Sequence, residues 1–286
     1  MGGDEERPRI VVAWDGSRGS ASTFPLAGVV GAQLGADVEI LHVLAPGEPA
    51  AEAEEALRQV GRDGLEGASL RLERGEVVRQ ILAAGGKRDV ELVVLTTHVG
   101  SIKEGRHLGS VAEAVVARTQ KPVLLVRPEA PAGARKLRRL LLPVDGTPKT
   151  AAALGPATLL AKRLGASLDL LYVAGAGPSR EGPAEKGSIA APRYVDQQQH
   201  EWPEWATEVA ERLAACCAHC PPEVPVRMFL ALGDVGEEIE RFALEHSSDA
   251  IVLVRRSRLQ PGRARTLRSV LQRAPCPVLV LSGPET

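Results

Sequence analysis

This chain of 286 residues has few aromatic residues and almost no net charge. Phe, Trp and Tyr make up 3% of it, so stacking platforms for nucleic-acid bases are few. The formal net charge is -1, which gives no global attraction to nucleic acid or to an anionic membrane. A hydrophobic share of 44% with 25% charged residues is ordinary for folded domains and excludes wholesale disorder.

Cysteines and long apolar runs are also few. Cys216, Cys217, Cys220 and Cys276 all lie in the second half of the chain, which makes a poor disulfide framework and favours a reducing compartment. The segment that begins at Met1 is polar and lacks the apolar region of a secretory signal. No apolar run approaches the roughly 18–20 residues that span a bilayer. We therefore expect a cytoplasmic protein with no membrane partner.

An internal repeat organises the sequence. Residues 9–17 match residues 139–147 at an offset of 130, and residues 91–95 match residues 249–253 at an offset of 158. Self-similarity over this distance indicates two copies of one structural unit. The difference between the offsets, 158 minus 130, corresponds to 28 additional residues in the second copy.

The repeat predicts two domains. Copy one covers residues 7–128, copy two covers residues 137–284, and residues 129–136 form the linker. The insertion in copy two lies near residues 175–202, a stretch rich in Gly, Pro, Ser and Gln that is typical of a loop.

Within each copy, short apolar runs alternate with longer amphipathic stretches. In copy one these predict strands at 10–14, 38–43, 69–74, 92–97 and 123–126, and helices at 21–34, 50–60, 77–84 and 110–118. Strands that are apolar on both faces and separated by helices favour a parallel sheet covered on two sides. The predicted fold class is therefore α/β, with two tandem, doubly wound, five-stranded parallel-sheet domains. Right-handed crossovers give each sheet the strand order 3-2-1-4-5, with a ligand crevice at the carboxyl ends of strands 1 and 4.

The last strand of each copy is an apolar edge. Residues 123–126 and 278–281 read Val-Leu-Leu-Val and Val-Leu-Val-Leu, and exposed apolar edges invite pairing. We predict that these strands meet across a pseudo-twofold axis inside one chain, as an intrachain pseudo-dimer. Pairing between chains, as a homodimer, is the alternative.

The motifs of the two copies, in order, resemble the universal stress protein family. Copy one carries Ile-Val-Val-Ala-Trp-Asp-Gly-Ser, Leu-Gly-Ala-x-Val-x-Ile-Leu-His-Val, Leu-Val-Val-Leu-Thr-Thr-His, Leu-Gly-Ser-Val-Ala-Glu-Ala-Val and Lys-Pro-Val-Leu-Leu-Val, and copy two ends on Arg-Ala-Pro-Cys-Pro-Val-Leu-Val. The resemblance covers nearly the whole chain. It implies an adenine-nucleotide alpha-hydrolase-like fold, dimerisation through the last strand, and ATP binding in some members but not in others.

In the members that bind ATP, an Asp that ends strand 1 meets the adenosine. A Gly-x-x-Gly loop, followed after nine residues by Gly-Ser/Thr, wraps the phosphates. Copy one keeps Asp15 and the Gly109-Ser110 pair, but Val99 and Ile102 stand at the two earlier glycine positions. Because β-branched residues resist positive φ and stiffen the loop, we expect ATP to bind weakly, and in copy one if it binds at all.

The candidate nucleotide-binding residues implied by the resemblance include a strand-end Asp, the ends of strands 2 and 4, and the glycines of the loop. They are Asp15, Val43, Thr97, His98, Gly100, Gly109 and Ser110. A second interpretation of Asp15 stays open, because an Asp-Gly pair after a strand is a common turn whose carboxylate can cap the next helix.

Copy two keeps an Asp at the matching position, Asp145, but lacks the glycine pattern. Its loop is rich in arginine: Arg255, Arg256, Arg258, Arg263, Arg265 and Arg268. Such a cluster, within residues 255–268, could hold an anion or a nucleic-acid phosphate by charge. A solvated basic face is the simpler interpretation.

The segment Cys216-Cys-Ala-His219-Cys220 suggests zinc, but no second ligand pair such as Cys-x-x-Cys follows elsewhere in the sequence. Small apolar residues on a helix face explain the same spacing. We therefore predict no metal site.

Three functions follow from these patterns. The first is a non-catalytic stress-response or regulatory module of the universal stress type. The second is an anion- or nucleic-acid-associated protein that uses the arginine loop. The third is a nucleotide-dependent enzyme of related fold, for which His-Ile-Gly-His, Ser-Gly-Gly-x-Asp-Ser and Gly-x-x-x-x-Gly-Lys-Ser/Thr are all absent from the sequence. The sequence favours the first, with no catalytic residues.

Overall fold

A single sheet of ten strands runs through the part of the chain that the structure describes. The structure is a computed structural model, and it describes residues 7–61, 64–97, 109–128, 135–144, 148–175, 211, 221–255, 270–271 and 273–283. The strands are β1 (Arg9–Trp14), β2 (Asp37–Leu44), β3 (Ser69–Arg74), β4 (Val90–Thr96), β5 (Val123–Val126), β6 (Arg139–Val144), β7 (Ser167–Gly175), β8 (Val226–Gly233), β9 (Ala250–Arg255) and β10 (Val278–Ser282). The helices are α1 (Arg18–Ala21), α2 (Phe24–Leu34), α3 (Ala50–Val60), α4 (Val77–Gly85), α5 (Ser110–Arg118), α6 (Pro148–Leu164) and α7 (Val235–Glu245).

The strand order is the same in both copies. Across the sheet the strands lie β3-β2-β1-β4-β5-β10-β9-β6-β7-β8. Copy one is therefore 3-2-1-4-5, and copy two repeats that order from the other edge. All pairs within a copy are parallel. This confirms the predicted α/β class and strand order, and it places the switch point of copy one between β1 and β4.

The two copies join through their last strands. β5 and β10 pair antiparallel, with Leu124 opposite Leu279 in the register. Both side chains are buried, so the join continues the core instead of leaving two exposed edges. The predicted pairing within one chain is thus confirmed.

Each face of the sheet carries its own apolar layer. Ile10 and Val12 of β1 pack into one layer with Phe24 of α2, whereas Val11 packs into the other with Ile81 of α4. Since alternate strand residues point to opposite faces, burial of both sets requires helices on both sides. Such strands are typical of parallel sheets.

The helix predicted over residues 21–34 is instead two helices. The hydroxyl of Ser17 caps α1 by accepting a hydrogen bond from the Ser20 N–H at 3.1 Å, so the helical segment begins before the predicted start. The chain then turns at Ser22 and Thr23, and Pro25 stands in the first turn of α2. Proline lacks the N–H that a continuous helix would need at this position.

Side chains of the helices also connect the copies. Gln33 of α2 donates to the carbonyl oxygens of Leu137 and Leu164, at 3.1 and 2.8 Å, and accepts from the Leu137 N–H at 2.9 Å. Arg163 of α6 forms an ion pair with Glu91 of β4. Among the described helices, none combines the length and apolarity needed to cross a bilayer.

Candidate functional site

The candidate site lies at the carboxyl end of β1 in copy one, where the chain leaves the sheet through Asp15, Gly16 and Ser17. Gly16 has φ of 88°, a left-handed conformation that glycine adopts without steric cost. The Asp15 Oδ1 accepts from the Ser17 N–H at 2.9 Å. Asp15 therefore closes a tight turn, and its side chain is exposed at the carboxyl end of β1.

A chain of hydrogen bonds connects this turn to the end of β4. The Ser20 hydroxyl donates to the same Asp15 oxygen, and Ser20 is buried. The Thr96 hydroxyl, at the end of β4, donates to the Ser20 carbonyl oxygen at 3.3 Å. The structure thus brings the ends of β1 and β4 together across the switch point. It also supports the turn that the second interpretation of Asp15 predicts, but the group that caps α1 is the Ser17 hydroxyl and not the Asp15 carboxylate.

The other described candidates occupy different environments. Thr97 follows the last residue of β4 and is buried, and its hydroxyl and N–H both point to the Val126 carbonyl oxygen, at 3.4 and 2.9 Å. Its hydroxyl therefore bonds to the neighbouring strand. Val43 is half-buried near the end of β2, opposite Glu73 of β3.

The N-terminus of α5 is the second feature of the site. Gly109 occupies the N-cap position and, as glycine, has no side chain that could accept a hydrogen bond from the first turn of the helix. Its carbonyl oxygen accepts from the Glu113 N–H at 2.9 Å, and Ser110 is exposed. The first N–H groups of a helix have no partner within it and carry partial positive charge. They can therefore donate to an anion.

A polar cluster beside Asp15 could not be predicted from sequence. His42 of β2 is buried, its Nδ1 lies 3.0 Å from the Trp14 carbonyl oxygen, and its Nε2 lies 3.2 Å from a Glu48 carboxylate oxygen. The N–H of Ala45 donates to Glu48 at 2.6 Å. This bond, and then the bond with His42, holds the pKa of Glu48 below its usual value. The loop after β2 is thereby anchored to the end of β1.

In copy two, Arg255 of the predicted arginine cluster contacts backbone carbonyl oxygens and a hydroxyl group. Its guanidinium donates to the carbonyl oxygens of Ala117 and Thr119, at 3.0 and 2.7 Å, and to the Ser282 hydroxyl at 3.1 Å. These groups lie at the C-terminus of α5 and on β10. Arg255 therefore joins the two copies, a role that could not be predicted from the sequence because its partners are 136 and 138 residues away in the chain.

Several of the predicted residues lie outside the described residues. In copy one these are His98, Val99, Gly100 and Ile102; in copy two they are Asp145, Cys216, Cys217, His219, Cys220, Arg256, Arg258, Arg263, Arg265 and Arg268. Residues 176–202 of the predicted insertion also lie outside them. Their roles stay predictions.

Comparison with known proteins follows the two-copy organisation. A family model described as the universal stress protein family matches residues 6–127 and again residues 136–282. No curated protein matches the chain.

Several solved structures match almost the full chain, and two of them are universal stress proteins. A universal stress protein from Archaeoglobus fulgidus DSM 4304 is 17% identical, with a TM-score of 0.66 over 96% of this chain and 98% of that one. A putative universal stress protein from Pseudomonas aeruginosa UCBPP-PA14 is 15% identical, with a TM-score of 0.64 over 97% and 94%. At these identities the likeness shows the fold. A universal stress protein in complex with cAMP is 26% identical over 43% of this chain and 98% of that one, with a TM-score of 0.37.

Proposed function

The chain belongs to the universal stress protein family, with two domains of that family in tandem, and on this premise we propose that it is a non-catalytic stress-response module that binds an adenine nucleotide weakly in copy one. One observation carries the proposal. Asp15, Ser20 and Thr96 are linked by hydrogen bonds across the switch point, which is where ligands bind in doubly wound sheets.

Each part of the site has a role toward a nucleotide. The exposed carboxylate of Asp15 would accept a hydrogen bond from a ribose hydroxyl, and such charge-assisted bonds are stronger than neutral ones. The first N–H groups of α5 and the Ser110 hydroxyl would donate to phosphate oxygens. The left-handed Gly16 keeps the turn free of a side chain, so the ligand would approach the end of β1 closely.

A binding role fits the described polar groups better than a catalytic one. A nucleophile needs a base within hydrogen-bond reach. The Ser20 hydroxyl does contact the Asp15 carboxylate, but Ser20 is buried and so is closed to a substrate. The Thr97 hydroxyl, also buried, bonds to the Val126 carbonyl oxygen of β5, which is not a base. Both hydroxyls are thus committed to holding the turn and the sheet.

The test compares Asp15→Asn with wild type by titration calorimetry, with ATP and, separately, cAMP as ligands. Asn keeps an oxygen that can accept from Ser17 and Ser20, so the turn is preserved while the charge is lost. Loss of a hydrogen bond to a charged group costs about 1.5–3 kcal/mol, so affinity should fall by about 10- to 150-fold. Native mass spectrometry of the purified protein provides an independent check for bound nucleotide.

Asp37→Asn is the matched control. Asp37 begins β2 at the opposite edge of the sheet, and its side chain is exposed and 3.8 Å from Arg7. Its removal deletes one charge without touching the site, so affinity should stay at the wild-type value. Equal affinity in Asp15→Asn and Asp37→Asn would place any nucleotide in a different crevice.

A further inference from the structure

An arginine of copy two holds the end of a helix that belongs to the site of copy one. The guanidinium of Arg255 contacts the carbonyl oxygens of Ala117 and Thr119. The Ser282 hydroxyl completes the contact, since it accepts from Arg255 at 3.1 Å and donates to the same Thr119 oxygen at 3.1 Å. These are acceptors that a helix leaves unpaired at its C-terminus.

The contact also has favourable electrostatics. A helix C-terminus carries partial negative charge, which a cation stabilises. Arg118 already places one positive residue in the last turn of α5, and Arg255 adds a second from the other copy. The planar guanidinium donates in two directions at once, a geometry that lysine does not reproduce.

The position of Arg255 in the repeat indicates a change of role. At the offset of 158, Arg255 corresponds to Thr97, the residue that follows β4 in copy one. The glycine positions that the family pattern places after strand 4 begin two residues further on, at Val99 in copy one. Copy two lacks that glycine pattern, and Arg255, the last residue of β9, instead reaches across the join.

We propose that Arg255 is a positioning residue for copy one. By tying the C-terminus of α5, it sets the direction of a helix whose other end, Gly109-Ser110, opens toward the crevice. α5 has nine residues, or about 13–14 Å at 1.5 Å per residue, so it acts as a short rigid rod. The consequence for nucleotide affinity rests on the proposed function, whereas the effect on α5 does not.

The experiment uses the full chain with Arg255→Met, Arg255→Lys and Ser282→Ala. Arg138→Met is the control, because exposed Arg138 also belongs to copy two and loses the same charge. Amide hydrogen exchange of residues 110–119 reports on α5 in every variant. ATP affinity is measured by calorimetry under conditions in which urea unfolding shows each variant to be fully folded.

In Arg255→Met we expect about tenfold faster exchange in α5 and about three- to tenfold weaker ATP binding. Arg255→Lys and Ser282→Ala should lie between Arg255→Met and wild type, and Arg138→Met should match wild type. A purely structural role would lower stability without changing the affinity of the folded protein, so unchanged affinity in Arg255→Met would overturn the proposal. Unchanged exchange would overturn it as well.

If the wild type binds neither ATP nor cAMP, the proposed function fails, and exchange alone decides the positioning role. Faster exchange along the whole of α5, including residues 110–113, then supports it. Faster exchange confined to residues 117–119 overturns it, because the effect would not reach the end of the helix that faces the crevice.

Discussion

Replacing Gln33 with Ala removes three hydrogen bonds between the two copies. The side-chain amide donates to the carbonyl oxygens of Leu137 and Leu164 and accepts from the Leu137 N–H. Leu164 ends α6, so its carbonyl oxygen is a helix-end acceptor. Leu137 is 1% exposed, so water cannot easily replace the bonds that its backbone loses.

The expected decrease in the free energy of unfolding follows from the number of hydrogen bonds that the variant loses. A typical hydrogen bond contributes about 1 kcal/mol net, so three bonds set an upper figure of about 3 kcal/mol. Gln33 is half-buried, and water recovers part of this. We therefore expect Gln33→Ala to lower the free energy of unfolding by about 2 kcal/mol. Gln33→Glu should cost at least as much at pH 7, because a carboxylate oxygen would face two carbonyl oxygens in place of a donor.

Urea unfolding followed by circular dichroism measures both variants. Gln59→Ala is the control, since Gln59 is exposed on α3 and its amide bonds only to Glu55, at 3.2 Å, among the contacts described. It should change stability by less than about 0.5 kcal/mol. If Gln33→Ala unfolds at the same urea concentration as Gln59→Ala, these bonds do not hold the copies together. Wild-type stability in Gln33→Glu would contradict the donor assignment.

Two other predictions concern the loop of copy one and the described cysteine. Changing Val99 and Ile102 together to Gly should strengthen ATP binding several-fold, because glycine allows positive φ in the loop. Calorimetry measures the affinity. If neither the wild type nor the double variant gives heat on titration, the proposed nucleotide binding is wrong. Cys276 should resist iodoacetamide at pH 8 in the folded protein, because desolvation, and then the charge of Asp249, raise the pKa of its thiol from 9.0 to about 12 and only the thiolate reacts. Peptide mapping separates it from the other cysteines, and rapid labelling of the native protein would refute the assignment. The protonated Cys276 thiol contributes fully to the free energy of unfolding below pH 9, and this contribution is lost as the pH rises toward 12, since the thiol of the unfolded chain ionises first. The Cys276→Ala variant should not show this loss.

The bounds of the helices were predictable where residues close together in the sequence determine them. Gly35 and Gly165 follow apolar helical segments, and both adopt φ of 63° as left-handed residues after helices, as such glycines commonly do. The bounds of α3 and α5 also agree with the sequence pattern. The break between α1 and α2 was missed, because the Ser17 cap competes with a longer amphipathic pattern that continues through Pro25.

The position of the candidate site in copy one was predictable from the sequence, but the contacts of its residues were not. The Asp that directly follows the first strand identifies Asp15 as a candidate from the sequence alone. The link from Asp15 through Ser20 to Thr96 depends on how α1 packs against β4, which no local pattern encodes. Arg255 shows the same limit, because a run of arginines gives no information about carbonyl oxygens on the other copy.

The join between the copies uses matched positions with different chemistry. At the offset of 130, Gln33 corresponds to Arg163. Gln33 bonds to backbone groups of copy two, whereas Arg163 pairs with the Glu91 carboxylate of copy one. In a homodimer the two surfaces would be identical and would have to complement themselves. Two copies in one chain are free of that constraint.

A single missing N–H accounts for part of the asymmetry. At the offset of 158, Glu91 corresponds to Asp249, whose Oδ2 accepts from the N–H groups of Arg138 and Arg139, each at 2.9 Å. The residue of copy one that matches Arg138, at the offset of 130, is Pro8, which has no N–H to donate. Arg9, the counterpart of Arg139, has an N–H, but this group donates to the Asp89 carbonyl oxygen at 2.8 Å. Neither position therefore supplies an N–H to the Glu91 carboxylate, which pairs with Arg163 across the join. The proline before β1 thus removes one of the two contacts that the matching carboxylate makes in copy two, and the Glu91 carboxylate contacts the other copy instead.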